Sequence, residues 1–139
     1  MKLLCDEVLR RFPEVRERMS EGDAELSYLV VGYVVDWLAD MARAPSLDDE
    51  IIERVLDFDR WAMSYPPGKT AEDDVPTIMM VAFHEKLLWH DSLLPLFPRL
   101  MSRQAFEANE TYFAQFVGAD RYRAALRQFP RGGKQRRKR

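Results

Sequence analysis

Apolar and polar residues recur with a helical period along most of the chain. Near the N-terminus, apolar residues spaced three and four apart predict a first helix over residues 2–12: Leu3, Leu4, Val8, Leu9 and Phe12. The same spacing predicts longer helices over residues 24–43 and 46–64. No segment of useful length alternates in the manner of a strand. The pattern therefore predicts an all-α bundle of about six or seven helices in antiparallel pairs, loosely solenoid-like.

The stretch from Asp73 to His90 is predicted to be the central helix of the fold. It contains six consecutive uncharged residues, from Ile78 to Phe83. A helix that is apolar over most of its circumference is usually buried. Asp74 is suited to cap this helix, and Pro76 fits its first turn. We expect the central helix to be the packing spine of the domain.

Capping residues and helix breakers predict the other boundaries. Pro13 begins a short helix that reaches Glu21, and two prolines predict irregular turns between Leu93 and Met101. N-caps are predicted at Asp23 for 24–43, at Ser46 with Asp49 as a capping box for 46–64, at Ser102 for 103–116 and at Asp120 for the last helix. Gly118 predicts a helix end. Four aromatic residues in this region are expected to face inward: Phe106, Tyr112, Phe113 and Phe116.

The length of 139 residues is enough for one domain, which we place at residues 1–130. The net charge of −2 hides an asymmetry, because six of the 21 basic residues lie in the last nine positions. Residues 1–130 keep 15 basic and 23 acidic residues, a net charge of about −8. The chain is thus an acidic body followed by a basic tail, residues 131–139, which we expect to be disordered.

The two histidines do not form a recognisable metal motif. Zinc peptidases use His-Glu-x-x-His, whereas His84-Glu85 is followed by a second histidine at His90, six positions after His84. That spacing turns the two rings about 120° apart on a helix. The one cysteine, Cys5, lies among apolar residues and is interpreted as a small hydrophobe. We therefore predict no catalytic residue, no metal and no cofactor, with His84 a partly buried polar residue and His90 near a helix C-terminus.

Acidic residues are the best candidates for a binding surface. Seven of them surround the predicted loop between the second long helix and the central helix: Asp48, Asp49, Glu50, Asp57, Glu72, Asp73 and Asp74. If the two helices pair, these acids gather at one end and flank. Such a surface would complement a basic protein, such as a nuclease active site, and would speed association. An ordinary solvated acidic surface is the alternative.

The N-terminus, the longest apolar run and the basic tail indicate where the protein is located and which partners it binds. The N-terminus has an acid at Asp6 and no apolar core of a secretory signal. Six apolar residues are far fewer than the roughly 20 of a membrane span. We therefore expect a cytoplasmic protein with no membrane partner. The basic tail has no aromatic residue for base stacking, so nucleic acid is not the expected partner. The oligomeric state is left open.

Four segments resemble a family of small uncharacterised bacterial helical proteins related to the DUF7674 group. They are VAFHEKL at 81–87, LPLFPRLM at 94–101, NETYF at 109–113 and VGADRY at 117–122; Phe12-Pro13-Glu14 fits as well. The resemblance spans most of residues 8–129, although His84 here separates the phenylalanine and glutamate that are paired in the family. It implies no catalytic residues, and it suggests an immunity protein that neutralises a toxin.

The expected function is therefore non-enzymatic protein binding through the acidic surface. Two alternatives stay open. One is a small enzyme with a pocket around His84, Glu85 and Trp89. The other is a nucleic-acid-associated protein that acts through the tail.

Overall fold

A computed structural model describes residues 2–23, 26–44 and 47–130. Its first half consists of α1 (Lys2–Arg11), a 3-10 helix (Pro13–Arg18), α2 (Ser27–Arg43) and α3 (Asp49–Met63). These elements match the predicted helices closely, although residues 24 and 25, the predicted start of α2, lie outside the described residues. No strand occurs in the described part of the chain, so the all-α prediction is confirmed there.

The second half begins with the central helix, residues 75–87, which is built from three continuous segments. These are α4 (Val75–Met79), a π-helical turn (Met80–His84) and α5 (Glu85–Leu87). A 3-10 helix (Asp91–Leu96), α6 (Phe97–Leu100), α7 (Arg103–Ala108), α8 (Glu110–Val117) and α9 (Ala119–Leu126) follow. The predicted single helix over 103–116 is divided at Asn109, whose φ of −112° and ψ of 25° are not helical. The predicted number of six or seven helices and the solenoid-like arrangement are not confirmed.

Three of the observed N-caps follow the expected chemistry. The Asp74 carboxylate accepts a hydrogen bond from the Thr77 amide at 2.9 Å, and Ser102 Oγ accepts one from the Ala105 amide at 3.1 Å, as predicted. The predicted cap Ser46 lies outside the described residues. Asp48 caps α3 by accepting from the Ile51 amide at 3.0 Å.

Two predicted caps are wrong. Asp23 does not cap α2, whose N-cap position is taken by Leu26 without a side-chain hydrogen bond. Its carboxylate is instead used within the preceding turn and by α2's own Tyr33, whose hydroxyl donates to it at 3.0 Å. Asp120 lies inside the first turn of α9, because that helix already begins after Gly118 at φ +95°. In that turn it pairs with Arg123.

The central helix runs antiparallel to α3 and parallel to α2. Along α3, Asp59 contacts His84 of the central helix, while the earlier residue Asp49 contacts Arg99 of α6, which follows the central helix in the chain. Along α2, contacts advance in the same direction as the chain: Tyr28 bonds Ala71, Asp36 bonds Lys86, and Ala39 bonds Ser92. The central helix therefore lies between α2 and α3, as expected of a packing spine.

Aromatic rings fill both halves of the core. In the first half, Phe58 lies 5.5 Å from Phe12 and 6.1 Å from Phe83, measured between ring centroids. In the second half, the fully buried Phe106 contacts four rings: Phe97 at 4.8 Å, Phe113 at 5.3 Å, Tyr122 at 4.5 Å and Phe129 at 5.8 Å. Inward-facing Phe106 and Phe113 are thus confirmed. The prediction that Phe116 faces inward is wrong, because its side chain is 49% exposed.

Two further features complete the fold. Cys5 is buried, with its Sγ 3.9 Å from the Ser27 hydroxyl, in agreement with its interpretation as a small hydrophobe. Within the ranges that the structure describes, none of the helices has the length and apolar character to cross a membrane.

Candidate functional site

The seven predicted acidic residues are divided between the two ends of α3. Asp48, Asp49 and Glu50 lie at its N-terminal end, and Glu72, Asp73 and Asp74 lie in the loop that leads from its C-terminal end to the central helix. A helix of 15 residues is about 21 Å long, and Asp57 lies along its exposed side. The expectation that these acids gather at one end is therefore wrong, because α3 lies between the two groups.

Most of these carboxylates already have partners within the fold. Asp48 and Asp74 cap helices, Asp49 pairs with Arg99 at 2.6 Å, and Asp57 pairs with Arg60. Asp73 accepts hydrogen bonds from the Thr70 amide and hydroxyl, which hold the pKa of its carboxyl group below the ordinary value. The side-chain hydrogen bond from Thr77 and the Gly68 amide do the same for the pKa of Asp74.

Glu50 and Glu72 differ from the other five acids. Both are exposed, and neither makes a hydrogen bond or a salt bridge with any residue that the structure describes. Of the predicted set, Glu50 and Glu72 are therefore the two carboxylates that a partner can bind without breaking an existing hydrogen bond or salt bridge.

Two partly buried tyrosines, Tyr28 and Tyr112, bond residues of the 66–74 loop and of the central helix, respectively. The Tyr28 hydroxyl donates to the Ala71 carbonyl at 3.0 Å, and its pKa is raised by burial and by the charges of Glu72 and Asp74. The Tyr112 hydroxyl donates to Glu85 at 3.0 Å; burial, this hydrogen bond and the Glu85 charge raise the pKa of Tyr112 to about 12. The Tyr28 hydroxyl thus joins α2 to the loop, and the Tyr112 hydroxyl joins α8 to the central helix.

Three exposed apolar side chains lie on or near the elements that Glu85 and Tyr112 join. Val81, Trp89 and Phe116 are 40%, 51% and 49% exposed, and Phe116 lies 4.7 Å from the Tyr112 ring. Val81 is four residues before Glu85 on the central helix, and Trp89 follows the end of that helix. We call the five residues Val81, Glu85, Trp89, Tyr112 and Phe116 the Trp89 face.

His84 lies in the wall of an open cavity of about 550 Å³ lined by residues of α3, the central helix and α6–α8. Its Nε2 atom is 2.8 Å from Asp59 Oδ1, and the side chains of His84 and Asp59 are only 7% and 20% exposed. The π-helical turn ends at His84 and contributes Met80 to the same cavity. Sequence reasoning identified His84 as partly buried but missed this pair, because its members are 25 residues apart.

The three residues of the predicted enzyme pocket are not brought together. His84 lines the cavity, but Glu85 bonds Tyr112 and Trp89 is half exposed, and neither lines it. His90 bonds Asp36 at 3.0 Å, and the same carboxylate accepts from Lys86 at 3.1 Å. The two histidines thus contact different helices, α3 and α2. In the part of the chain covered by the structure, no group of three or more His, Cys, Asp or Glu side chains is arranged to hold a metal ion.

Comparisons with known proteins leave the family open. No family model matches the chain, and no curated protein or solved structure matches it either. The resemblance to the DUF7674 group stays a prediction, as does the function that it suggests. The basic tail and its predicted role lie outside the described residues.

Proposed function

We propose that the chain is a non-enzymatic protein-binding module that contacts a basic partner through the Trp89 face and the adjoining acids of the 66–74 loop. In the cell it would act as a cytoplasmic immunity protein that covers a toxin domain. The Trp89 face supplies apolar contacts, and Glu72 with Glu85 supplies negative charge.

The exposed aromatic surface is the observation that carries this proposal. Trp89, Phe116 and Val81 are each exposed by two fifths or more. Tryptophan and tyrosine are enriched among the residues that dominate binding energy at protein interfaces. Exposed apolar patches are typical of interaction sites, and Phe116, Tyr112 and Glu85 are joined by direct contacts on this face. The arrangement favours a partner that covers the aromatic side chains and places basic groups at the acidic edge.

Charge supports the choice of a basic partner. Residues 1–130 carry a net charge of about −8, and Glu72 has no intramolecular partner among the described residues to neutralise it. The predicted acids at the other end of α3 extend the surface only for a partner that lies along this helix. A standard interface of about 800 Å² on each partner is roughly 30 Å across, which is long enough to do so.

The proposal is tested with the product of the neighbouring gene, provided that it encodes a basic toxin domain. The dissociation constant is measured by calorimetry with Trp89→Ala, Glu72→Lys and Glu50→Lys. Trp89→Ala is expected to weaken binding about 30-fold, equivalent to about 2 kcal/mol. Glu72→Lys should weaken it several-fold and reduce its salt dependence. Glu50→Lys weakens binding only if the interface reaches the other end of α3.

Leu3→Ala is the matched control, since Leu3 is a 46% exposed apolar residue on α1 outside the proposed surface. It should leave the affinity unchanged. Equal affinities of wild type, Trp89→Ala and Glu72→Lys would refute the proposed surface. A neighbouring gene without a basic toxin domain would refute the immunity role.

A further inference from the structure

We infer that the His84–Asp59 cavity is a binding site for a small amphipathic monocarboxylate, an acid with one charged head and an apolar body. This site is separate from the proposed protein-binding surface, since the cavity and the Trp89 face share no residue. Failure of one proposal therefore leaves the other standing.

The size and lining of the cavity suit a small ligand. Its volume of about 550 Å³ lies within the range of roughly 300–1,000 Å³ that is usual for small-molecule sites. Most of the lining side chains are apolar, with Met80, Leu100, Met101 and Phe113 among them. Methionine side chains adapt readily to the shape of an apolar ligand. The lining thus offers apolar contacts to the apolar body of a ligand.

Arg60 and Arg99 give the cavity its positive charge. Both line it, and their side chains are 64% and 49% exposed, so they lie towards solvent. A planar guanidinium group matches a carboxylate in a bidentate geometry. Arg60 and Arg99 now pair with Asp57 and Asp49 on the surface. Exposed pairs of this kind contribute at most about 1 kcal/mol, so a ligand carboxylate can replace them at little cost.

The charge balance of the lining favours a monoanion. Arg60 and Arg99 outnumber Asp59, the single acid among the lining residues, and a ligand carboxylate would compete for them with their surface partners Asp57, Glu53 and Asp49. His84 contacts one oxygen of Asp59 and reduces the repulsion between that carboxylate and a bound anion. A doubly charged phosphate would be repelled more strongly by Asp59 than a monocarboxylate would.

The π-helical turn is a second and independent indication. Turns of this type are rare and occur frequently at functional sites, because their hydrogen-bond geometry is less favourable than that of an α-helix. The turn at Met80–His84 brings both of its end residues to the cavity wall.

The test uses decanoate and decanol, which share an apolar chain and differ in charge. Calorimetry and amide chemical shifts should show one saturable decanoate site, with shifts centred on Met80, Ala105 and Asn109. Decanol should bind about tenfold more weakly. Arg60→Gln and Arg99→Gln should each weaken decanoate about three- to tenfold without changing decanol binding.

Two further variants define the site. Ala105 is exposed on α7 and lines the cavity, so Ala105→Phe fills the cavity without disturbing the core and should abolish decanoate binding. Arg103→Gln is the matched control, because Arg103 is 46% exposed, pairs with Glu107 and does not line the cavity. Thermal unfolding confirms that each variant is folded. No saturable decanoate binding, equal affinity for decanol, or unchanged binding by Ala105→Phe would each overturn the inference.

Discussion

Substitutions of Asp59 test whether its contact with His84 is a buried polar pair. In Asp59→Asn the amide oxygen still accepts from His84 Nε2, so a charge-assisted hydrogen bond becomes a neutral one. Asp59→Asn is therefore expected to lower the unfolding free energy by about 1 kcal/mol relative to wild type. In Asp59→Ala the bond is lost and the Nε2 atom of a side chain only 7% exposed loses its partner. Asp59→Ala is therefore expected to lower the unfolding free energy by about 2–4 kcal/mol. The loss lies at the lower end of this range if water in the cavity bonds the Nε2 atom.

Urea unfolding followed by circular dichroism measures both free energies. Asp57→Asn is the control, since the Asp57 side chain is 58% exposed and pairs with Arg60 on the surface of the same helix. That substitution should change stability by no more than about 0.5 kcal/mol. If Asp59→Ala costs no more than Asp57→Asn, the pair is not desolvated and the reasoning from burial fails.

Three further predictions concern other parts of the fold. Phe106→Ala should lower the unfolding free energy by about 3–5 kcal/mol in urea titrations, because Phe106 is fully buried against four rings. Gly118→Ala should lower it by about 1–3 kcal/mol, since Gly118 has φ +95°; an unchanged midpoint would contradict the backbone assignment. The pKa of Tyr112 rises from 10.0 to about 12 on folding, so its contribution to stability is complete below pH 10 and lost as the pH rises towards 12. Unfolding measured across this range should show a decline of about 1–2 kcal/mol that Tyr112→Phe reduces.

Local sequence signals were sufficient where one segment determines its own structure. The central helix begins after Asp74 because that side chain bonds the Thr77 amide three residues later, a contact that depends on sequence spacing alone. Gly118 ends α8 for a similarly local reason, since its positive φ is accessible to glycine. Asp23 shows the limit of this reasoning, because a tertiary contact with the Tyr33 hydroxyl uses the carboxylate that was predicted to cap α2.

The face that a helix presents to solvent depends on its neighbours, and periodicity alone does not define it. Phe113 and Phe116 were both predicted to face inward, and a straight helix over 103–116 would place them on adjacent positions. Both residues belong to α8, where they lie about 60° apart around the helix axis; Phe113 is on the buried side and lines the cavity, whereas Phe116 is on the exposed side beside Tyr112. α8 therefore contributes Phe113 to the cavity wall and Phe116 to the Trp89 face.

The acidic residues and His84 illustrate how tertiary structure reassigns chemistry. The acidic residues were predicted to form a binding surface because they are numerous. Most of them cap helices, form salt bridges or accept other hydrogen bonds, and α3 separates the two that do none of these, Glu50 and Glu72. His84 was interpreted as a partly buried polar residue because its spacing to His90 excludes a shared ligand role. Its partner Asp59 comes from a different helix, and the π-helical turn that ends at His84 has no signal in the apolar run Ile78–Phe83. A polar pair held in an apolar wall costs desolvation energy that two packed apolar residues would avoid. The hydrogen bond between Asp59 and His84 offsets part of that cost, which is why removal of Asp59 alone is expected to cost more than removal of a carboxylate from an exposed pair.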